Sequence, residues 1–206
     1  MFPSYFYVPF LEGIFMSGVF LSPQGRVSFP SVYEASKVAE DDKSAKFSIT
    51  LVIDHNNLEG EQRELLELMK ESCNDVATEA FGVEMGQEDA DGTVIKSPFR
   101  STDSKKKYYG DMPGQVFIRF SNKYAPQILD GNKRPIPQSS GQFYPGCWAH
   151  VSYTCYPYTY MGNKGISLSL NNVQKTGDDE PFGGQRTSAE DDFDVIATPK
   201  TDEIPF

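Results

Sequence analysis

From Lys46 to Ile53 apolar and polar positions alternate, with Phe47, Ile49, Leu51 and Ile53 on one parity and Lys46, Ser48, Thr50 and Val52 on the other. A period of two is the mark of a half-buried strand. From Leu58 to Phe81 the period changes. Leu58, Leu65, Leu66, Met69, Cys73, Val76, Ala77 and Ala80 share one helical stripe, with Asn57 as the expected N-cap and Gly82 as the C′ stop. Such a stripe is a core contact. Further strands are predicted over Arg26 to Val32, Gln115 to Ser121, Trp148 to Tyr156 and Ile166 to Val173. The last two are joined by a hairpin at Gly162-Asn163-Lys164-Gly165, and residues 83–114 read as loop.

Short strands, one helix and no βαβ alternation predict a mainly β chain with one inserted helix, in the α+β class. A five-stranded antiparallel barrel of the OB-fold type fits this count; a β-sandwich fits it too. Three segments follow. Residues 1–15 are an aromatic-rich extension without Lys or Arg, and Met16 reads as a second possible start. Residues 16–176 are the folded domain. Residues 177–206, with Gly183-Gly184, Pro181, Pro199 and many carboxylates, are expected to be a disordered acidic C-terminal tail. No stretch approaches the ~20 apolar residues of a membrane span, so no membrane partner is expected. Cys73, Cys147 and Cys155 show neither CxxC nor a zinc spacing and read as reduced, cytosolic and structural.

Charge changes this picture. The net charge is −10, but it is unevenly spread. Residues 1–92 carry 6 basic and 17 acidic side chains, residues 93–176 carry 11 and 3, and residues 177–206 carry 2 and 9. Local field rather than net charge decides where a polyanion docks, so the cationic middle is a candidate surface for one. A merely uneven solvated surface is the plainer reading of charge alone.

The aromatics sharpen it. Along 147–160 one parity holds Cys147, Ala149, Val151, Tyr153 and Cys155, as a barrel interior requires. The other holds Trp148, His150, Ser152, Thr154, Tyr156, Tyr158 and Tyr160. Along 115–121, Val116, Ile118 and Phe120 point in, and Phe117, Arg119 and Ser121 point out. Rings beside cations on an otherwise polar face suit unpaired bases, which stack on the rings while cations follow the phosphates. Phe117, Arg119, Trp148, Tyr156 and Tyr158 are the expected stacking and pairing residues. Lys105, Lys106, Lys107, Lys123 and Lys164 are the expected phosphate contacts. Trp148 facing the helix as part of a second core is the competing placement.

The chain ends Asp202-Glu203-Ile204-Pro205-Phe206. Acids steer an encounter, and a terminal ring can enter an apolar pocket while the carboxylate meets a cation. This tip resembles that of bacterial single-stranded-DNA-binding proteins, which recruits repair and replication enzymes. A longer resemblance spans roughly Gly25 to Asp194. GRVSFPSVYEA, GDMPGQVFIRFSNKYAPQILD, FYPGCWAHVSYTCYPY, NKGISLSLNNVQK and GGQRTSAEDDFD resemble the OB-fold single-stranded-DNA-binding proteins of tailed phages. That resemblance implies an OB core, a helix after the second strand, a disordered acidic tail, and a DNA face on the outward residues of 115–124 and 147–160.

Catalytic chemistry has little support. No GxxxxGK[ST] loop or GxGxxG fingerprint occurs. A calcium-like loop at 87–98 begins with Gln87 and ends with Pro98, which removes two ligands. No cofactor is expected. The sequence therefore predicts a non-catalytic protein that coats and protects single-stranded DNA in phage replication or recombination, in the cytoplasm of the bacterial host. It would recruit partner enzymes through Asp202, Glu203, Ile204, Pro205 and Phe206. A Mg²⁺-dependent nuclease using Glu88, Asp89 and Asp91, and a structural or carbohydrate-binding β-domain, are the alternatives.

Overall fold

The computed structural model describes residues 18–37, 45–105 and 114–182, Lys105 by its backbone alone. The 1–15 extension, Lys106, Lys107 and the Asp202–Phe206 tip lie outside the described residues, as does most of the expected tail.

The strands are β1 (Phe20–Leu21), β2 (Gly25–Ser36), β3 (Lys46–Ile53), β4 (Phe99–Ser101), β5 (Val116–Asn122), β6 (Ile128–Leu129), β7 (Trp148–Tyr160) and β8 (Asn163–Gly177). The helix α1 spans Gly60–Phe81. Strand pairing runs β7-β2-β3-β5-β8, and a β7–β8 ladder joins the two ends. The sheet therefore closes into a five-stranded barrel, which excludes the β-sandwich and leaves these strands no free edge. The order is that of an OB-fold. Most of its pairings are antiparallel, but the β5–β8 contact that completes the circuit is parallel, Phe120 opposite Leu168. β1 adds to β7, β4 to β5 and β6 to β8.

The alternation of β3 explains its place. Ile49, Leu51 and Ile53 fill the barrel with Val27, Ile118, Phe120, Tyr153, Leu168 and Leu170. Helix α1, inserted between β3 and β5, covers one side of β7 and β8 and sends Met69, Cys73 and Ala77 into the same core. It ends where expected, at Gly82, whose φ of 78° is the left-handed conformation that glycine tolerates. It does not begin as expected. Glu59 takes the N-cap position, and the amide of Asn57 instead donates to Asp54 Oδ2 at 2.7 Å. The β7–β8 turn is also tighter than the glycine spacing suggests. Met161 and Gly162, at φ 47° and 77°, make the reversal between Tyr160 and Asn163. Two positive φ values in a two-residue loop match the right-handed twist of the hairpin.

Candidate nucleic-acid interface

Strand register decides which outward residues meet. On the outer face of β2, β3 and β5, Arg26 lies opposite Val52 and Val52 opposite Phe117. The same row continues to Trp148 beyond Arg26 and to Arg100 beyond Phe117. The next row is Ser28, Thr50 and Arg119, and the next is Ser31, Ser48 and Ser121. Rings and guanidinium groups thus occupy one end of this face, and short hydroxyl side chains the other.

The short side chains leave a hollow. A cleft of about 660 Å³ is floored by Ser48, Thr50, Arg119 and Ser121. Its walls come from Phe29 and Lys37 on the β2 side, from Pro98 and Arg100 leading into β4, and from Tyr158 and Ser167 on the β7–β8 hairpin. Three cations, Lys37, Arg100 and Arg119, line it, and none of the described lining residues is acidic. In a chain of net charge −10 that is a local reversal of sign. The exposed Arg119 guanidinium donates to Ser48 Oγ at 3.1 Å, which aims it along the floor. The hairpin is pinned from behind. Opposite Gly165, Lys96 donates its main-chain N–H to the Lys164 carbonyl at 2.9 Å and accepts from the Ile166 amide at 3.0 Å, and a Cβ on Gly165 would come within 2.7 Å of the Lys96 carbonyl and 2.9 Å of the Tyr158 hydroxyl. Only glycine lets the Tyr158 ring settle there.

The expected site residues divide by this geometry. Phe117, Arg119 and Tyr158 gather around the cleft. Tyr156, 37 % exposed, sits two residues farther down the hairpin, opposite Ser167. Lys123 lies just past β5 with its ammonium 4.8 Å from the Tyr124 ring centre. Trp148 is half-buried on the outer face and is not part of a core against α1. Its indole N–H donates to Asp179 Oδ2 at 2.9 Å, and the Arg26 guanidinium lies 5.7 Å from its ring. Lys105 closes the short 3₁₀ turn after β4. Its side chain, with Lys106 and Lys107, is outside the described residues.

Three expectations need correction. The two segments expected to form one DNA face, β5 and β7, do not lie side by side: β2 and β3 separate them on one side and β8 on the other. Phe117 points outward but is only 8 % exposed, because it packs with Val52 beneath Phe182. Lys164 does not present a free ammonium to a phosphate. It donates to Asp89 Oδ2 at 2.6 Å and to Asp91 Oδ2 at 2.7 Å, fastening the 88–91 loop to the hairpin. That pairing, followed by the Thr93 amide, holds the Asp89 carboxyl below its ordinary pKa and raises that of Lys164. Two of the three carboxylates of the nuclease alternative, Asp89 and Asp91, therefore already hold a cation, and no cluster of three potential metal ligands occurs among the described residues.

Register also brings in residues that sequence reasoning passed over, namely Arg26, Phe29, Lys37 and Arg100. Arg26 and Trp148 are covered by the chain that follows β8. Asp179 pairs with Arg26 at 3.1 Å, and the Phe182 ring centre lies 4.6 Å from the same guanidinium. Gly146 makes this possible, since a Cβ there would fall 2.8 Å from the Phe182 nitrogen. The Glu180 amide, the Trp148 indole and Arg26 together hold the Asp179 carboxyl below its usual range. Lys175 and the Tyr144 hydroxyl do the same for Asp178. Residues 178–182 thus place a carboxylate and a ring on a cation and two rings.

Comparison with known proteins agrees with this architecture. Residues 19–205 match the family described as Enterobacter phage Enc34, ssDNA-binding protein. A putative protein, p50, of Acyrthosiphon pisum secondary endosymbiont phage 1 is 26 % identical over 181 residues, covering 87 % of this chain and 94 % of the relative. Among solved structures, the single-stranded-DNA-binding protein of bacteriophage Enc34 in complex with ssDNA superposes with a TM-score of 0.63. That match has 21 % identity over 82 % of this chain and 91 % of the other. Gp2.5, a single-stranded-DNA-binding protein of bacteriophage T7, gives 0.51 at 12 % identity over 82 % and 97 %.

Proposed function

The chain belongs to the family of the Enterobacter phage Enc34 ssDNA-binding protein, and from that premise we propose that it binds single-stranded DNA in the cleft on the outer face of β2, β3 and β5. The observation that carries this reading is the cleft itself: Lys37, Arg100 and Arg119 around a hydroxyl-rich floor, beside Phe117 and Tyr158, with no acidic described residue in the lining. Phosphates pair with the cations. Bases stack on Tyr158, and on Phe117 once Phe182 is displaced, with little selection because every base has a π-face. Serine and threonine hydroxyls donate to phosphate or base edges without selecting a sequence. Nothing in this arrangement performs covalent chemistry, so the protein's work is to occupy and protect the strand.

Trp148, Arg26, Tyr156 and Lys123 extend the same role along the face, and Lys105, Lys106 and Lys107 add phosphate contacts from the segment after β4. The acidic tail then has two tasks. Its tip, Asp202 to Phe206, binds replication and recombination enzymes, and its acidic stretch competes with DNA for the cationic face. The contacts that residues 178–182 already make with Arg26 and Trp148 support the second task. No helix among the described residues is long and apolar enough to cross a membrane, and the site of action on this reading is the host cytoplasm.

The test is direct. Oligo-dT should shift the protein in a gel at low salt and change the emission of Trp148, the chain's single tryptophan. Binding should weaken steeply with added salt. No shift and unchanged emission at low salt would reject the reading, and an affinity insensitive to salt would favour the carbohydrate-binding alternative.

A further inference from the structure

Strand β2 is interrupted where it borders the cleft. Ser28 pairs with Thr50 and Ser31 with Ser48, so that Phe29 and Pro30 together face Ile49 alone. Two residues opposite one make a β-bulge, a device that re-aims a side chain. Phe29 takes the left-handed conformation there, with φ at 45°. In bulges of this kind the left-handed position is normally glycine, because a Cβ crowds the backbone. An aromatic residue at such a position is strained, and strain of this kind collects where function requires it. The residue gains little burial in exchange: it is 55 % exposed, whereas Phe117, Phe120 and Phe143 are buried. It also stands at a boundary. Phe29 and Ser31 line the cation-bearing cleft on one side and, on the other, a second groove of about 500 Å³ with Tyr33, Phe143 and Pro145.

We propose that Phe29 is the residue on which the DNA strand turns as it leaves the cleft: one base stacks on its ring, and the strand continues over the groove beyond. The proposal rests on the ssDNA reading of the cleft and adds to it a positioning residue and a direction of travel. The groove adjoins the cleft, the two sharing Phe29 and Ser31 in their linings. Its lining lacks cations among the described residues, as suits a place for a base rather than a phosphate. The bulge supplies what a flat strand cannot, a ring projecting at the cleft's rim. Pro30, which has no N–H to pair, occupies the second position of the bulge and fixes its own φ there.

Substitution separates stacking from packing. Phe29→Gly removes the ring and relieves the positive φ, so the variant should melt within a few degrees of the parent or above it. Its affinity for oligo-dT, read by fluorescence anisotropy at low salt, should fall about tenfold, the size of one lost base–ring contact. Phe29→Leu keeps apolar bulk without a π-face and should bind as weakly as the glycine variant. Phe29→Tyr keeps the face and should bind within about twofold of the parent. A leucine variant with parental affinity would show the residue to be packing only and overturn the proposal. So would a glycine variant that binds as well as the parent. Occupation of the groove by the chain's own Ile204-Pro205-Phe206 end would also overturn it, and would be revealed if deleting residues 202–206 changed the exchange of Tyr33 and Phe143 amides in the absence of DNA. A parent protein that failed to bind oligo-dT at all would reject the ssDNA reading first, and this proposal with it.

Discussion

Replacing Asp179 by Asn and Phe182 by Ala together should make DNA binding both tighter and more salt-dependent. In the parent, Arg26 is occupied: Asp179 pairs with it at 3.1 Å and the Phe182 ring covers it. The cations that line the cleft are Lys37, Arg100 and Arg119. Each phosphate neutralised on a single strand contributes about −0.7 to the slope of log K against log salt. Three give a slope of about −2.1, and a fourth, from a freed Arg26, gives about −2.8. Between 50 and 200 mM salt the cleft contacts alone account for a loss of about 20-fold in the parent and about 50-fold in the double variant, with Lys123 and Lys105 to Lys107 steepening both equally. The variant should start from a higher affinity at 50 mM, because the strand no longer displaces a tethered competitor. Fluorescence anisotropy on labelled oligo-dT reads both quantities. Glu180→Gln is the control for simple charge removal. Arg26 bonds to the Glu180 main-chain oxygen, which the substitution leaves in place. Its slope should stay parental. Equal slopes and equal affinities for parent and double variant would refute the reasoning, and so would a Glu180→Gln slope as steep as that of the double variant.

Two further outcomes follow from contacts away from the cleft. Asp89 has its pKa lowered by Lys164, and Lys164 has its own raised in return. A depressed carboxyl contributes stability that is complete above its unfolded pKa of about 3.9 and is lost as pH falls through the lower folded value. A raised ammonium contributes stability that is complete below about 10.4 and is lost as pH rises through the higher folded value. The 88–91 loop should therefore stay docked on the hairpin between those limits, as read by slow exchange of the Thr93 amide, which donates to Asp89. Undocking between pH 5 and 9 would contradict the pairing. Separately, the Cys73 and Cys155 sulfurs lie 3.4 Å apart, joining α1 to β7 across 82 residues of chain. Excess oxidised glutathione should close them into a disulfide that raises Tm, by up to about 4 kcal/mol of stability if the loop-entropy model holds. A disulfide through Cys147, or a lowered Tm, would contradict the placement.

The parts of this architecture that repeat along the chain are the parts a reader of the sequence can see. β3 is found where its alternation ends, at Lys46 and Ile53, because a strand with one face in a barrel must change side with every residue. The inner parity of β7 is equally clear, since Ala149, Val151 and Tyr153 are all fully buried. Arg119 and Tyr158 could be placed outward on the same ground. What sequence reading missed depends on which strands lie side by side. Arg26, Val52, Phe117 and Arg100 form one row only through registers linking residues far apart in the chain, and no local pattern carries that information. Phe29 was hidden because a bulge breaks the period that would have assigned it a face. Its one local sign is the following Pro30, a residue uncommon inside a strand. Phe117 was placed on the correct side, yet its cover comes from Phe182, beyond the last strand. Lys164 resembled a phosphate contact until Asp89 and Asp91, more than seventy residues earlier, were found holding it.

The central claim is that the face of β2, β3 and β5 holds the strand, and the charges on that face test it most directly. Arg100 and Arg119 are both exposed, so removing them should leave the barrel's melting temperature near the parent value. The Arg100→Ala, Arg119→Ala double variant is predicted to bind oligo-dT at least tenfold more weakly at 50 mM salt, with a salt slope shallower by about 1.4. A double variant that melts like the parent and binds oligo-dT with the parent's affinity and slope would place the DNA elsewhere on the molecule.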